Sequence, residues 1–387
     1  MKEASVYFHI PFCKKKCGYC DFYSVTDFSR CPLLIERLIR HFRFFYDSIG
    51  KPVITSVFIG GGTPNSIPLI QLERFLSAVS EHIDCVRIEV TLESNPEYIT
   101  KDFIEMINDS AVNRLSVGIQ SFQPEDLQVL QRNTTAEQTM RAAELAAGYF
   151  NGAVNFDLIC EIPGQTAERS LRDIELASDF GIGHISRYSL TIEENTPFYG
   201  VYSEKDDISD ESVYFRGIDM LISKGYQRYE VSNFSKPGCE CLHNIGYWNI
   251  DPYIGVGPSA VSTFPVKSGD GFVWKRTSYP RSVTEYLHMD MEDETLHDTF
   301  DEILTPEEFL FEHFLMGLRT AKGISKKRLF GRFPPEAHRG IRNVLGYLGR
   351  YGIESNDFFR LKPEYFDRQN IILRNLFDEI ARVFDQA

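Results

Sequence analysis

His9-Ile10-Pro11-Phe12-Cys13-Lys14-Lys15-Lys16-Cys17-Gly18-Tyr19-Cys20 follows directly on a strand-like run at Val6, Tyr7 and Phe8. The three cysteines are spaced C-x3-C-x2-C on one short loop. Three thiolates so placed can wrap three corners of a cubane iron–sulfur cluster and leave its fourth iron without a protein ligand. The same residues also suit three buried structural cysteines, or a zinc site short of a ligand, although structural zinc calls for four ligands. Lys14, Lys15 and Lys16 would offset the anionic thiolates, or simply solvate the loop.

Outward from that loop, short apolar or β-branched runs recur at near-even spacing, centred near Tyr7, Val57, Ile88, Leu115, Phe156 and Ile185. Helical periodicity lies between them, over Leu33–Tyr46, Leu69–Glu81, Lys101–Asn108, Thr135–Tyr149 and Ser170–Phe180. In the first of these, Leu34, Leu38, Phe42 and neighbours share one face. Six strands alternating with helices predict an α/β fold with a parallel sheet; spacing alone does not separate an open sheet from a barrel. The rhythm weakens after Tyr188, and residues 191–280 are rich in Gly, Pro, Asn and aromatic residues. From about Ser282 the pattern turns helical and charged. Thr305-Pro306-x-Glu308 predicts a capped helix start, and the segment from Phe359 to Phe384 reads as a short hairpin and a final helix.

Composition narrows the function classes. Lys and Arg number 41 against 55 Asp and Glu, a formal net charge of −14, which argues against nucleic acid as a partner. The 43% hydrophobic content is ample for a core. No run of apolar residues is long enough to span a membrane, and the first residues do not read as a signal peptide. Eight cysteines in such a chain read as cytoplasmic thiols or metal ligands, not a disulfide framework.

Further blocks follow in order: Ile59-Gly60-Gly61-Gly62-Thr63-Pro64, Leu92-Glu93-Ser94-Asn95-Pro96, Gly118-Ile119-Gln120-Ser121-Phe122, Asp157-Leu158-Ile159 with Ile162-Pro163-Gly164-Gln165-Thr166, and Ile192-Glu193-Glu194-Asn195-Thr196. Each sits where a strand ends, which is where α/β folds bind ligands. Together with the cysteine loop they resemble the radical SAM superfamily, in the dress of the oxygen-independent coproporphyrinogen III oxidase family, from about residue 5 to 265. That resemblance implies a partial (β/α)6 TIM-like barrel with a small, mainly helical C-terminal domain, divided at 1–281 and 282–387, with a motif-bearing loop region at about 191–281. It implies a 4Fe–4S cluster on Cys13, Cys17 and Cys20, with S-adenosylmethionine on the open iron. Reduction would then give a 5′-deoxyadenosyl radical, the electron coming from a donor such as flavodoxin or ferredoxin. Carried over residue by residue, the S-adenosylmethionine contacts are Tyr7, Tyr19, Gly61, Gly62, Thr63, Glu93, Gln120, Arg132, Asp157, Ser189 and Val261. His9 is expected either to line the porphyrin side of the site or simply to bond the loop backbone.

The family has an oxidase branch and a haem chaperone branch. The oxidase pattern has a fourth cysteine two residues past the third, where this chain has Phe22, and a longer segment before the first strand, which here starts at about Ser5. His243-Asn244-Ile245-Gly246-Tyr247-Trp248 matches the H-N-x-x-Y-W motif of the chaperone branch, implying His243 as a haem-iron ligand beside aromatic residues. The expected function is thus a cytoplasmic haem chaperone, with haem and a haem-acceptor protein as partners. The alternatives are the oxidase, and an enzyme opening another tetrapyrrole. Cys239 and Cys241 read as loop cysteines, a spare thiolate or a reversible pair; Cys31, Cys85 and Cys160 as small buried residues.

Overall fold

The computed structural model describes residues 2–202, 211–269, 271–290 and 301–384. The first half alternates as expected: β1 (Glu3–Ile10), α1 (Cys31–Ser48), β2 (Val53–Gly61), α2 (Leu69–Ser80), β3 (Glu89–Ser94), α3 (Lys101–Asn108), β4 (Arg114–Gln120), α4 (Pro124–Val129), α5 (Ala136–Tyr149), β5 (Ala153–Cys160), α6 (Ala167–Asp179) and β6 (His184–Ser189). The six strands lie side by side in chain order, every neighbouring pair parallel. Ile88 falls just before β3. Helix α6 begins three residues earlier than its apolar periodicity suggests, because the Thr166 hydroxyl caps it by accepting from the Arg169 amide.

The two faces of this sheet differ in chemistry. Val6, Phe8 and Ile10, Val57 and Ile59, Leu115 and Val117, and Val154 and Phe156 pack against the helices in the main apolar core. Phe8 meets Phe42 of α1 and Phe75 of α2 edge-on at 5.3 and 5.0 Å. In α1 the residues Leu34, Leu38, Phe42 and Phe45 are buried while Leu33 is exposed, so the helix offers one face. By the period of two, Tyr7, His9, Ser56, Phe58, Glu89, Glu93, Arg114, Ser116, Asn155, Asp157, His184 and Ser186 point to the concave side. Parallel strands are commonly apolar on both faces; here the concave face is polar and internally bonded, which marks it as the working side.

The second half extends the sheet at both edges. After α7 (Glu211–Ser223), β7 (Gln227–Arg228) and β8 (Asn233–Ser235) form a hairpin that pairs antiparallel to β6. Helix α8 (Leu242–Trp248) leads to β9 (Tyr253–Val256), which runs parallel to β1 on the edge opposite β2. Strands β10 (Val261–Ser268), β11 (Gly271–Ser278) and β12 (Asp301–Leu304) continue as an antiparallel meander. The twelve-stranded sheet ends on β12 and β7, so the barrel is open. Helix α9 (Val283–His288) joins the main core through Val283 and Tyr286, and His41 of α1 hydrogen-bonds Tyr286 and, at 3.0 Å, Tyr279.

A second apolar cluster is built on α10 (Pro306–Gly317), α11 (Lys326–Gly331), α12 (His338–Leu348), α13 (Pro363–Phe366), α14 (Gln369–Phe384) and the small sheet β13 (Ile324–Ser325), β14 (Gly352–Glu354) and β15 (Phe358–Leu361). Thr305 and Glu308 form the expected capping box at the start of α10. Leu304 and Ile250 reach into this cluster, and Trp274 of β11 stacks on Phe309 at 4.5 Å. Among the described residues no helix is long and apolar enough to cross a membrane.

Candidate functional site

The cysteine loop leaves β1 and is closed at its base: Cys13 N donates to Val25 O and Val25 N to Pro11 O, at 3.0 and 2.7 Å. Inside this excursion Cys13, Cys17 and Cys20 are free, half-buried thiols, while the three lysines are exposed. Burial pushes the Cys13 and Cys20 thiols upward, only partly offset at Cys13 by the Thr63 hydroxyl 3.2 Å from its sulfur. Holding thiolates there requires positive charge, and the Arg132 guanidinium supplies it, with Nη1 3.7 Å from Cys17 Sγ. Among the described residues no three such side chains converge on a single metal ion. A cubane asks for something else, because its thiolates bind three different irons.

The glycine block packs under this loop. A Cβ at Gly62 would lie 2.7 Å from the Phe12 carbonyl oxygen and 2.8 Å from the Pro11 carbonyl carbon. Gly62 N donates to Ile10 O and Thr63 N to Phe12 O. Gly61 sits at φ +113°, where a Cβ would strike the His9 ring, and one at Gly60 would strike the Glu93 carboxylate. The three glycines thus let the cysteine loop, His9 and Glu93 close on one another.

Glu93 lies next to the end of β3 with Oε2 accepting from Gly61 N at 3.1 Å; burial and then the nearby Asp157 raise its pKa to about 7. Asp157 on β5 accepts from Ser116 (2.8 Å) and Asn155 (2.9 Å), yet burial still pushes its pKa upward. Gln120 closes β4 at φ +65°, and Ser189 closes β6 exposed. Arg132 Nη2 donates to Asn95 Oδ1 and Gly118 O, both at 3.0 Å, leaving buried Nε without a partner. Tyr19 lies against Arg132 and packs edge-on to Phe198 at 6.2 Å. An orphaned guanidinium N–H beside the cysteine loop suits a carboxylate ligand. Asn95 itself is held by Asn65 through paired amide contacts of 2.9 and 3.1 Å. These two asparagines set the Arg132 fork and are absent from the expected contacts, although Asn95 lies within the Leu92–Pro96 block and Asn65 directly follows the glycine block.

Tyr7 and Val261 stand apart from that group. They line a cavity of about 390 Å³ with His9, Phe22, Tyr23, Tyr247, Tyr253 and Arg281. His9 hydrogen-bonds Tyr7 OH (3.0 Å) and Tyr23 O (2.9 Å), and burial depresses its pKa to about 4. Phe22 is 71% exposed at the mouth. His243 does not line this cavity. It is 1% exposed, inside the concave face, with Nδ1 2.9 Å from Ser56 Oγ, its ring stacked on Phe58 at 5.1 Å, and Nε2 buried without a partner. Tyr247 lies edge-on to it at 4.8 Å, on the cavity side. Cys239 and Cys241 are both free thiols, and Cys241 Sγ donates to Glu89 at 3.3 Å. Cys31, Cys85 and Cys160 are buried as expected.

Residues 7–177 match the Radical SAM superfamily. The chain is 35% identical over 369 residues to "Heme chaperone HemW" of Haemophilus influenzae (92% of this chain, 93% of that one). It is 33% identical over 379 residues to the protein of the same name in Lactococcus lactis subsp. lactis (96% and 93%). Among solved structures, coproporphyrinogen III oxidase (HemN) of Escherichia coli, a radical SAM enzyme, superposes with a TM-score of 0.74 at 17% identity, over 98% of this chain and 90% of that one, a likeness of fold. The chain therefore belongs to the radical SAM superfamily and, within it, to the family of the heme chaperone HemW proteins.

Proposed function

We propose that this protein is a cytoplasmic radical SAM-type haem chaperone, binding a 4Fe–4S cluster, S-adenosylmethionine and haem and delivering haem to an acceptor protein. The observation that carries the reading is the 33% and 35% identity, over more than nine-tenths of the chain, to two relatives named as haem chaperones. Phe22, in place of the oxidase branch's extra cysteine, supports it. Cys13, Cys17 and Cys20 would hold the cluster. When bound and reduced by a donor such as flavodoxin or ferredoxin, it supplies an electron to the sulfonium of S-adenosylmethionine. Arg132 would take the methionine carboxylate on its free Nε–H, keeping its other donors on Asn95 and Gly118. Glu93 and Asp157, with Thr63, Gln120, Ser189 and the ring of Tyr19, would orient the rest of the molecule. His243 offers the right donor atom for haem iron, but as α8 stands that atom is enclosed and does not fit the group.

The test is anaerobic, on reconstituted protein: haem titration followed by absorbance, and in parallel S-adenosylmethionine, a reductant and coproporphyrinogen III with porphyrin products quantified. Stoichiometric haem binding without porphyrin conversion is expected. Conversion to the divinyl product, or failure to bind haem, overturns the reading.

A further inference from the structure

Haem iron needs the in-plane lone pair of an imidazole nitrogen. In His243 one nitrogen is committed to Ser56, and the other is buried behind Tyr247. The element carrying it is held unusually. At its front, one carboxylate gathers three donors of the same turn: Glu89 accepts from Leu242 N (3.1 Å), His243 N (3.0 Å) and Cys241 Sγ (3.3 Å). Glu89 is in turn 3.7 Å from Arg114 on β4. At its back, the second apolar unit takes hold. Arg332 donates to Asn249 O at 2.8 Å and to Asp251 Oδ1 at 3.2 Å, and Arg328 pairs with the same Asp251 oxygen. The Ile250 side chain is buried in the second cluster. Yet Ile250 has φ +52°, a left-handed conformation that a β-branched residue avoids. Strain of this kind persists only where surrounding contacts over-determine it, and it gathers at switch elements.

We propose that α8 is a gate: it withdraws from the concave face as a unit, relaxing Ile250 and presenting His243 Nε2 to a haem at the cavity. The Asp251–Arg328–Arg332 clamp sets how often it opens. The identity of the incoming group rests on the haem-chaperone reading; the gate itself does not. Closed, α8 keeps the imidazole against Ser56 and Phe58 and places Tyr247 in the cavity lining. Open, it gives up the Glu89 contacts and uncovers Cys241, which is 3% exposed in the closed form.

Cys241 is therefore a native reporter of the gate without haem. The apo protein, full length and reduced, is pulsed with N-ethylmaleimide, and each cysteine is read by peptide mass spectrometry, fragmentation separating Cys241 from Cys239. Asp251→Ala removes the acceptor of both arginines. Its Cys241 labelling is expected to rise roughly tenfold, the ratio matching loss of a charged hydrogen bond. Cys31 in the main core and Cys160, buried at the end of β5, serve as internal standards. Lys326→Ala, which breaks a pair with Glu354 inside the second unit, is expected to leave Cys241 unchanged. Unchanged Cys241 labelling in Asp251→Ala, or a rise shared equally by Cys31 and Cys160, overturns the gate. Haem titration of the same variants separates the two readings. A rise in Cys241 labelling with no haem bound by any variant leaves the gate standing and sinks the haem assignment.

Discussion

Lowering the pH should loosen the closed state through His243, and the size of the effect follows from its surroundings. Burial holds its imidazole neutral, with a pKa of about 3 against an ordinary 6.5. A depressed histidine pKa means that unfolded or opened chain takes up the proton more readily. Its contribution is complete above about 6.5 and is lost progressively as pH falls toward 3. At about pH 5.5, one unit below the ordinary value, the loss is about 1.4 kcal/mol. The neighbours add no competing charge: Ser56 and the Phe58, Tyr7 and Tyr247 rings stay neutral. Cys241, pushed up to about 12, remains a thiol, and Glu89 is tied to its donors and to Arg114. His9, His184 and His313 are depressed too, so wild type alone cannot isolate the term. Urea melts of wild type and His243→Gln at about pH 7.5 and about pH 5.5 do. The variant is less stable at the higher pH, for it loses the stacked imidazole, but between the two values it should lose about 1.4 kcal/mol less than wild type. An unchanged stability gap at the two pH values would refute the buried neutral imidazole.

Arg132→Lys keeps the charge beside Cys17 but loses the fork that serves Asn95, Gly118 and the free Nε–H. S-adenosylmethionine affinity, measured calorimetrically on reconstituted protein, should weaken roughly 10- to 100-fold, with iron content retained. Gly62→Ala drives a methyl group into the Pro11–Phe12 backbone, which cannot rotate aside. A loss of about 1–3 kcal/mol in chemical melts is expected, together with reduced iron incorporation on reconstitution. Glu93, with its pKa raised to about 7, is held protonated in the fold below that value. Stability it contributes is therefore lost as pH rises from its ordinary 4.5 toward 7. The ionised form is the partner for a cationic ammonium, so S-adenosylmethionine binding should tighten as pH rises through 7, and Glu93→Gln should flatten that profile.

What the sequence disclosed was local. Ser5 to Ile10, Glu89 to Ser94 and Arg114 to Gln120 alternate polar and apolar, so strand positions were readable, and with them the cysteine loop and glycine block at the strand ends. The same alternation also carries the polar concave face, and with it Ser116, Asn155 and His184, but a polar position in a strand reads equally as solvent-facing, so the sequence does not mark these residues as a site. The second half was harder, because its pairings are not local. Tyr253 to Val256 is too short to announce a strand, and it becomes one only by lying along β1, far earlier in the chain. Nor does anything in His243-Asn244-Ile245-Gly246-Tyr247-Trp248 reveal that its histidine is enclosed against the sheet, since Ser56 and Phe58, which hold it there, belong to β2, far earlier in the chain.

The residues first grouped as S-adenosylmethionine contacts divide into two sets, and the division bears on how the two ends of the site communicate. Thr63 and Arg132 touch the cysteines, whereas Tyr7 and Val261 line the cavity that Tyr247 also lines. Tyr247 is rigidly part of α8. A ligand that packs on Tyr247 where it stands gains contacts only while α8 is closed; a ligand that takes His243 Nε2 gains them only when α8 is open. Differential contact with two states is the whole requirement for coupling. Packing of a second ligand on Tyr247 in its closed position and iron ligation by His243 would therefore oppose each other, each weakening the other by the same factor, with no need for the cysteine loop to move. The strained Ile250 lessens the energetic advantage of the closed position, so a modest difference in contact is enough to decide which ligand prevails.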